Sequence, residues 1–89
     1  MTYTVRLSDR ATKDLDRLDR DTRQRVLARL DELASDPYNP RLSSPLTNKD
    51  GQRKSRLGGW RVVYRVNRGV LEVFVVTIAR RGQVYQRMQ

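Results

Sequence analysis

Two short turn signals divide the second half of the sequence into three runs of β type. Apolar and alternating segments bounded by Gly and Asn are typical of strands joined by hairpin loops. The runs cover residues 52–57, 60–66 and 70–78, and the turns cover residues 58–59 and 67–69. This pattern predicts an antiparallel meander in which the almost wholly apolar last run is a central strand, covered on both faces. Because a buried unpaired charge is costly, the side chain of Glu72 in that run has to reach the edge of the sheet or a partner.

The first half begins with a short strand and continues as a helix. Residues 3–7 alternate apolar and polar side chains, which indicates a strand with one buried face. Ser8 is a suitable N-cap, and apolar residues then recur at i, i+4 and i+7 up to an expected helix end near Asp19. These apolar residues are Ala11, Leu15 and Leu18.

A second helix is expected to be capped by Asp21 or Thr22 and to end at residues 35–37. Its predicted apolar stripe consists of Val26, Leu27, Leu30, Leu33 and Ala34. The interleaved Asp and Arg residues are expected to form solvated pairs. Residues 35–51 contain all three prolines and are predicted to be a loop. The predicted fold class is α+β, with an N-terminal strand and two antiparallel helices packed on one face of a small, largely antiparallel sheet.

The length and composition limit the possible functions. The chain has 89 residues, which predicts a single domain over residues 1–89. It contains no cysteine and no histidine, so thiolate metal sites and most acid–base triads are excluded, and no cofactor is expected. No apolar run is long enough for a membrane span, and residues 1–7 lack the apolar segment of a signal peptide. We therefore expect a cytoplasmic protein without a membrane partner.

The charge is the strongest global signal, because the formal net charge is +9. Residues 1–34 hold eight basic and seven acidic side chains, whereas residues 35–89 hold eleven and three. The excess therefore lies in the half that is predicted to form most of the sheet. Such an uneven distribution favours a polyanionic partner, and a basic surface that serves only solubility is the alternative.

A two-residue loop at residues 58–59 would fix the pairing of the strands on either side. Arg56 would then face Arg61, and Lys54 would face Val63, so the three basic side chains share one face. Like charges opposite each other destabilise a ladder, and a bound anion is the natural explanation. A sheet edge protected against aggregation is the alternative. The residues expected to point toward the helices are Trp60, Val62 and Tyr64.

Arg80, Arg81 and Tyr85 follow the last predicted strand within the reach of one turn. Arginine can hold a phosphate with a fork of donors, and a phenol near arginines can stack on a base. Gly82 permits the tight turn that would bring Tyr85 back toward the basic residues of the hairpin. An ordinary basic tail is the alternative.

Three segments carry a family resemblance. They are K-S-R-L-G-G-W-R-V-V-Y-R-V at residues 54–66, V-F-V-V-T-I-A-R-R at residues 73–81 and V-Y at residues 84–85. With the order strand, two helices, strands, the chain resembles the RelE-type toxins of bacterial toxin–antitoxin pairs over nearly its whole length. The basic-x-basic-x-Gly-x-aromatic-Arg core is typical of the RelE/ParE superfamily, and the full basic set with the terminal tyrosine favours the RelE branch.

The resemblance also implies a set of site residues. The family's catalytic residues correspond to Lys54, Arg56, Arg61, Arg81 and Tyr85. The candidate RNA-binding residues are Lys49, Arg53, Arg65 and Arg80. Lys49 would substitute for a loop arginine that some relatives carry near the position of Thr47. No residue is assigned to a metal.

The function implied is cleavage of messenger RNA in the ribosomal A site by attack of a ribose 2′-hydroxyl, which inhibits translation. Lys54 is the best candidate for the base, because neighbouring arginines disfavour its charged form. The implied partners are the ribosome with its message and a cognate antitoxin, in a hetero-oligomer. Two alternatives stay open, namely a ParE-type poison of DNA gyrase and an RNA-binding module without catalysis.

Overall fold

The computed structural model describes residues 2–47 and 51–80. Two helices pack on one face of a five-stranded sheet, which confirms the predicted α+β class. The helices are α1 (Asp9–Asp16) and α2 (Arg20–Ser35), and the strands are β1 (Thr4–Leu7), β2 (Ser44–Pro45), β3 (Gln52–Leu57), β4 (Trp60–Asn67) and β5 (Glu72–Arg80). The strand order is β1-β5-β4-β3-β2, with β1 parallel to β5 and the other neighbours antiparallel. Within these two ranges, no helix has the length and apolar character needed to cross a membrane.

Side-chain caps determine where both helices begin. Ser8 caps α1 as predicted, because its hydroxyl accepts a backbone N–H of the first turn at 2.9 Å. The predicted caps of α2, Asp21 and Thr22, are wrong. The carboxylate of Asp19 accepts the Thr22 N–H at 3.2 Å, so the helix already starts at Arg20. Hydrogen bonds from Thr22 hold the pKa of Asp19 below its ordinary value.

An arginine of α2 closes the end of α1. Helix α1 stops at Asp16, before the predicted end near Asp19. Arg23 donates to the carbonyl oxygens of Leu15, Asp16 and Leu18 at 3.2, 3.1 and 3.0 Å. Carbonyls at a helix end lack intrahelical partners, so Arg23 supplies a donor to Asp16 and adds one to Leu15, whose carbonyl oxygen also accepts the Leu18 N–H. The prediction that the interleaved charged residues are solvated is therefore wrong for Arg23.

The main core lies between the helices and the sheet. Its buried members are Ala11, Leu18, Val26, Leu30, Leu33, Val62, Tyr64, Val73, Val75 and Ile78. Tyr64 is fully buried and its hydroxyl donates to the Pro37 carbonyl oxygen at 2.6 Å, which ties the chain after α2 to the sheet. The prediction that Leu27 belongs to the buried stripe is wrong, because Val26 and Leu30 turn toward the sheet and leave Leu27 43% exposed.

The sheet has one strand more than the sequence predicts. The loop predicted at residues 35–51 contains β2, which pairs Ser44 with Lys54 and Pro45 with Arg53. A proline can occupy this strand because β2 lies at the edge of the sheet, where a missing N–H costs no ladder bond. The strand therefore extends the sheet beyond β3 without an apolar pattern that the sequence could display.

The central strand β5 starts later than predicted. The side-chain oxygen of Asn67 accepts two backbone N–H groups of the turn, at 3.0 and 3.3 Å, and this extends the turn beyond its predicted end. Val70 is consequently 66% exposed, and Leu71 has a left-handed φ of 51°. Glu72 finds the expected partner, because it accepts hydrogen bonds from Arg6 at 3.0 and 3.2 Å.

Hydrogen bonds near a β-bulge connect β5 to α1 and its N-cap. The pairing of β4 with β5 shifts by one residue in the middle of the strands, which leaves Val76 as the extra residue. The Ser8 hydroxyl donates to the Val76 carbonyl oxygen at 2.6 Å. The carboxylate of Asp14 accepts the Thr77 hydroxyl at 2.7 Å and the Ile78 N–H at 3.1 Å. Helix α1 and its N-cap therefore supply hydrogen bonds to backbone groups of β5 that lie past the last residue paired with β1.

We expect Asp14→Ala to lower the free energy of unfolding by about 1–3 kcal/mol, because the buried N–H of Ile78 loses its acceptor. Urea unfolding followed by the fluorescence of Trp60 measures this change. Asp31→Ala is the matched control, since it removes the same charge from an exposed position of α2. Equal midpoints for the two variants would contradict the role of Asp14.

Candidate nucleic-acid interface

The sheet has one face against the helices and a second, outer face that carries basic residues. Side chains alternate between the faces along each strand, and Val62 and Tyr64 belong to the core on the helix side. Arg61 therefore lies on the outer face, where it pairs with Arg56 across the ladder. Lys54 shares this side of β3 with Arg56. The predicted register is confirmed, and we call Lys54, Arg56 and Arg61 the basic face.

A two-glycine loop fixes this register. Leu57 at the end of β3 pairs with Trp60 at the start of β4, so only Gly58 and Gly59 connect the strands. Gly58 has a φ of 60°, a left-handed conformation that residues with a side chain rarely adopt. A shift of one residue would turn every side chain of one strand to the other face. The loop therefore decides on which side the basic residues lie.

The charges of Lys54 and Arg56 are not balanced by a carboxylate in the described ranges. Both ion pairs found there lie elsewhere. Lys54 is half-buried and Arg56 is exposed, so their cationic groups repel each other and attract anions from solution. At the other end of the outer face, by contrast, Arg6 is paired with Glu72 at 3.0 Å and lies over the ring of Phe74 at 4.4 Å.

Arg61 differs from the other two residues of the basic face because it is only 1% exposed. Nearby on the outer face, Leu46, Val63 and Ala79 form a small apolar cluster. Arg61 thus lies beside this apolar cluster and opposite Arg56, and its burial lowers the effective dielectric constant through which nearby charges interact. A phosphate can reach Arg61 only when surrounding side chains move.

Arg29 of α2 supports β3 from the helix side. Its Nη1 donates to the Ser55 hydroxyl and to the Arg56 carbonyl oxygen, both at 2.8 Å. Ser55 in turn donates to the Leu42 carbonyl oxygen at 2.7 Å. The side chain of Arg29 is only 19% exposed, so the prediction of a solvated helix residue is wrong here as well. Arg29 thus links α2 to β3, the strand that carries Arg56.

A cavity of about 300 Å³ adjoins the basic face. It is lined by residues 40–44 on one side and by Lys54 and Arg56 on the other. Arg41 thus joins the site, although it is not among the residues predicted from the sequence. The only sequence signal for it is its place next to Asn39 and Pro40, a pair that favours a tight turn.

The side chains assembled here are suited to an anion. The part of the chain that the structure describes contains no group of three or more His, Cys, Asp and Glu that could hold a metal ion. Guanidinium and ammonium groups donate hydrogen bonds to phosphate oxygens and carry the opposite charge. The arrangement can therefore bind a phosphate and stabilise extra negative charge that develops on it.

Known proteins with a similar sequence are toxins. The model of the family described as ParE toxin of type II toxin-antitoxin system, parDE, matches residues 5–85. The Toxin RelE of Mycobacterium tuberculosis is 35% identical over an alignment of 88 residues, and the match covers 94% of this chain and 87% of that protein. The chain belongs to the RelE/ParE toxin superfamily. It is a RelE-type toxin of a type II toxin–antitoxin system, as its resemblance predicts.

Solved RelE structures share the fold of this RelE-type toxin. A RelE double mutant of E. coli in the free state matches with a TM-score of 0.81 and 26% identity, covering 97% of this chain and 93% of that one. A RelBE toxin–antitoxin complex from Mycobacterium tuberculosis contains a chain with a TM-score of 0.79 and 26% identity, at 91% and 100% coverage. A chain of the intact E. coli RelBE complex matches with a TM-score of 0.79 and 25% identity, covering 88% of this chain and 95% of that one.

The toxin does not bring all predicted RNA-binding residues to the basic face. Arg53 pairs with Tyr64 and thus lies on the helix side of β3. Its guanidinium donates twice to the Ser43 hydroxyl, at 3.2 and 3.0 Å, and lies over the ring of Tyr38 at 5.1 Å. These contacts give Arg53 a structural role, and an RNA contact by this residue stays a prediction.

The remaining predicted residues divide into two groups. Arg65 is exposed and pairs with Gln52 on the outer face, farther from the hairpin loop than Lys54. Arg80 is exposed and lies over the ring of Trp60 at 5.4 Å, close to that loop. Lys49, Arg81 and Tyr85 lie outside the described residues.

We expect Arg56→Ala to weaken the binding of a short single-stranded RNA and to make the plot of log affinity against log salt concentration shallower by about 0.7, because one phosphate contact is lost. Fluorescence anisotropy over a salt series measures both quantities. Arg10→Ala on α1 is the matched control, since it removes one exposed positive charge from the helix side. Identical slopes for the two variants would contradict the assignment of the basic face.

Proposed function

We propose that this toxin is a metal-independent endoribonuclease that cuts messenger RNA in the ribosomal A site and so inhibits translation. The observation that carries the proposal is the pairing of Arg56 with Arg61, beside Lys54, on one face of the sheet. The likeness to the Toxin RelE of Mycobacterium tuberculosis supports it. Within the superfamily, it is the resemblance to RelE-type toxins that implies cleavage of messenger RNA on the ribosome.

The proposed reaction takes place within the RNA strand. The ribose 2′-oxygen attacks the adjacent phosphorus and gives its proton to a base, while the bond from phosphorus to the 5′-oxygen of the next nucleotide breaks. A proton has to reach that oxygen, so the products are a 2′,3′-cyclic phosphate and a free 5′-hydroxyl. We assign Lys54 as the base that takes the proton of the 2′-hydroxyl.

The arginines stabilise the charge that develops during this reaction. Arg56 and Arg61 neutralise the extra negative charge on the phosphorane, and preorganised charge is usually the largest single catalytic term. The family resemblance assigns Arg81 to the leaving oxygen. Arginine is a poor proton donor, so Arg81 is assigned to charge stabilisation only. Tyr85 stacks on a nucleotide or orients it.

The proposal includes a dependence on the ribosome. The chain has no histidine, and its site lacks the usual pair of general acid and general base. Such a site is slow on a freely rotating RNA. A message held with its 2′-hydroxyl in line with the scissile bond gains much of the missing rate through positioning alone. Because its proposed substrate is a translated message, we place the toxin in the cytoplasm.

We also propose a cognate antitoxin as the partner, in a hetero-oligomer. The structural relatives include RelBE complexes from Mycobacterium tuberculosis and E. coli and a RelE–RelB complex from Pyrococcus horikoshii. A nuclease that attacks the cell's own messages has to be restrained until it is needed. An extended or helical antitoxin segment that covers the basic face would block access of RNA.

A second candidate function is poisoning of DNA gyrase, because the matching family model is named for ParE. A gyrase poison produces DNA cleavage complexes and an SOS response without cuts in ribosome-bound RNA. A module that binds RNA without catalysis produces salt-sensitive affinity and no cleavage of either nucleic acid. The two alternatives are thus separable from the proposal by their products.

We expect Arg61→Ala and Arg81→Ala each to reduce ribosome-dependent cleavage by at least about 100-fold, because each removes charge stabilisation in the transition state. Primer extension on a defined message with programmed ribosomes measures the cuts, and a ribosome-free reaction shows the background. Arg10→Ala should cut at the wild-type rate. Circular dichroism has to confirm that all variants are folded.

Full activity of both Arg61→Ala and Arg81→Ala would contradict the site. A folded, antitoxin-free wild type that makes no cuts would contradict the proposed reaction. A gyrase cleavage assay with the same preparation would then decide between gyrase poisoning and plain binding.

We expect Lys54→Ala to lose most of its activity and Lys54→Arg to change the dependence of the cleavage rate on pH. A guanidinium stays protonated over the accessible range, so the arginine variant lacks a side chain that can accept the 2′-proton. Single-turnover rates on programmed ribosomes across a pH series measure the effect. A Lys54→Arg profile that superimposes on the wild-type profile would exclude Lys54 as the base.

A further inference from the structure

We propose that the cavity between residues 40–44 and β3 binds a second phosphodiester of the RNA, next to the one that is cut, and that Arg41 is its main binding residue. The identity of the ligand rests on the proposed function, whereas the affinity of the cavity for phosphate does not require catalysis. Arg41 would then fix the strand so that the scissile phosphate meets Arg61. Arg41 is a binding and positioning residue in this proposal, and it takes no part in bond breaking.

The loop that carries Arg41 is held by its own turn. The side-chain oxygen of Asn39 accepts the backbone N–H of Arg41 at 2.9 Å. The carbonyl oxygen of Asn39 accepts the N–H groups of Leu42 and Ser43, both at 3.0 Å. One residue thus satisfies three consecutive backbone donors, which fixes the backbone at the position of Arg41.

The same loop is fastened to the sheet on its far side. The Leu42 carbonyl oxygen accepts the Ser55 hydroxyl at 2.7 Å, and the Ser43 hydroxyl accepts two hydrogen bonds from Arg53, at 3.2 and 3.0 Å. The Ser43 hydroxyl also donates to the Pro37 carbonyl oxygen at 3.3 Å. Because both sides are anchored, the distance between the loop and β3 is set before any ligand arrives. A preformed site of this kind loses little entropy on binding.

The charge in the cavity is of one sign. Arg41, Lys54 and Arg56 line it, together with the hydroxyl-bearing Ser43 and Ser44, and no carboxylate occurs among the described residues of its wall. Neither ion pair in the described ranges involves these three cations. Three cations around one cavity repel each other, and a phosphate relieves this repulsion while it accepts their hydrogen bonds. The fork of donors on Arg41 can hold two phosphate oxygens at once.

The position of the cavity suits a neighbouring phosphate. The backbone positions of Lys54 and Arg56 lie about 7 Å apart along β3. The backbone of Arg56 lies one strand spacing of about 4.8 Å from that of Arg61. The cavity is on the β2 side of β3, whereas Arg61 is on the β4 side. Lys54 and Arg56 therefore stand between two anion positions and can contact both. An RNA strand that crosses the sheet would place successive phosphates in the cavity and at Arg61.

The test uses a short RNA with 2′-O-methyl groups, which cannot be cleaved by its own 2′-oxygens. We expect Arg41→Ala to weaken its binding about tenfold and to make the salt plot shallower by about 0.7, because a charge-assisted phosphate contact is lost. Arg41→Lys should keep the salt slope and recover part of the affinity, since it keeps the charge but not the fork. Arg10→Ala should match the wild type in both quantities. Fluorescence anisotropy measures all four proteins.

The ribosome assay gives a second readout that a merely structural role would not produce. We expect Arg41→Ala to raise KM about tenfold with a smaller change in kcat, because the contact holds the substrate in ground state and transition state alike. The backbone N–H that bonds to Asn39 remains in this variant, so the loop keeps its turn.

Each outcome separates this inference from the proposed function. If Arg41→Ala binds the uncleavable RNA as Arg10→Ala does, the second phosphate site is wrong, even when the wild type cuts messages as proposed. If the wild type cuts nothing but Arg41→Ala still loses affinity and salt slope, the site is supported and the catalytic proposal fails. A wild type that does not bind the RNA at all overturns the site.

Discussion

The pairing of β3 with β4 places Arg56 directly opposite Arg61, and the rest of the structure accommodates this contact. Like charges at facing ladder positions are unfavourable, and several other interactions hold the register of this hairpin. Gly58 adopts the left-handed conformation that the two-residue loop needs. Val62 and Tyr64 bury their side chains on the opposite face of β4. Arg29 donates a hydrogen bond to the carbonyl oxygen of Arg56 from the helix side of the sheet. The apolar side of the hairpin thus stabilises a basic side that is unfavourable by itself. A surface arranged in this way is suited to a phosphate that compensates its charge.

Arginine has two different uses in this toxin. Some arginines are structural, because their donors are already taken up by carbonyl and hydroxyl oxygens. Arg23 closes α1, Arg29 joins α2 to β3, and Arg53 holds the loop before β2. Others, such as Arg41 and Arg56, line the cavity and form no ion pair within the described ranges. The total positive charge therefore overstates the size of the nucleic-acid interface, and the hydrogen bonds identify which cations belong to it.

The sequence predicts the hairpin well because loop length and side-chain alternation depend only on residues that are close together in the chain. A two-residue glycine loop and the alternation of side chains suffice to place Lys54, Arg56 and Arg61 on one face, and Val62 and Tyr64 on the other. Features that depend on tertiary contacts are not predictable in this way. β2 has only two residues, including Pro45, and exists because β3 offers an edge. Arg41 reaches the site only through a loop that Ser55 and Arg53 hold in place, so no spacing in the sequence links it to Lys54. Leu27 fits a helical stripe by periodicity, but Val26 and Leu30 are the buried positions and Leu27 is 43% exposed.

The most direct test of the account is a structure of the wild-type toxin on a programmed ribosome whose message carries a 2′-O-methyl group at the scissile nucleotide. We expect the RNA to cross the outer face, with the scissile phosphate within hydrogen-bond distance of Arg61 and Lys54. The adjoining phosphate should occupy the cavity beside Arg41. An RNA bound along α1 and α2, or one that contacts Arg53 and Tyr38 while the basic face stays empty, would contradict it.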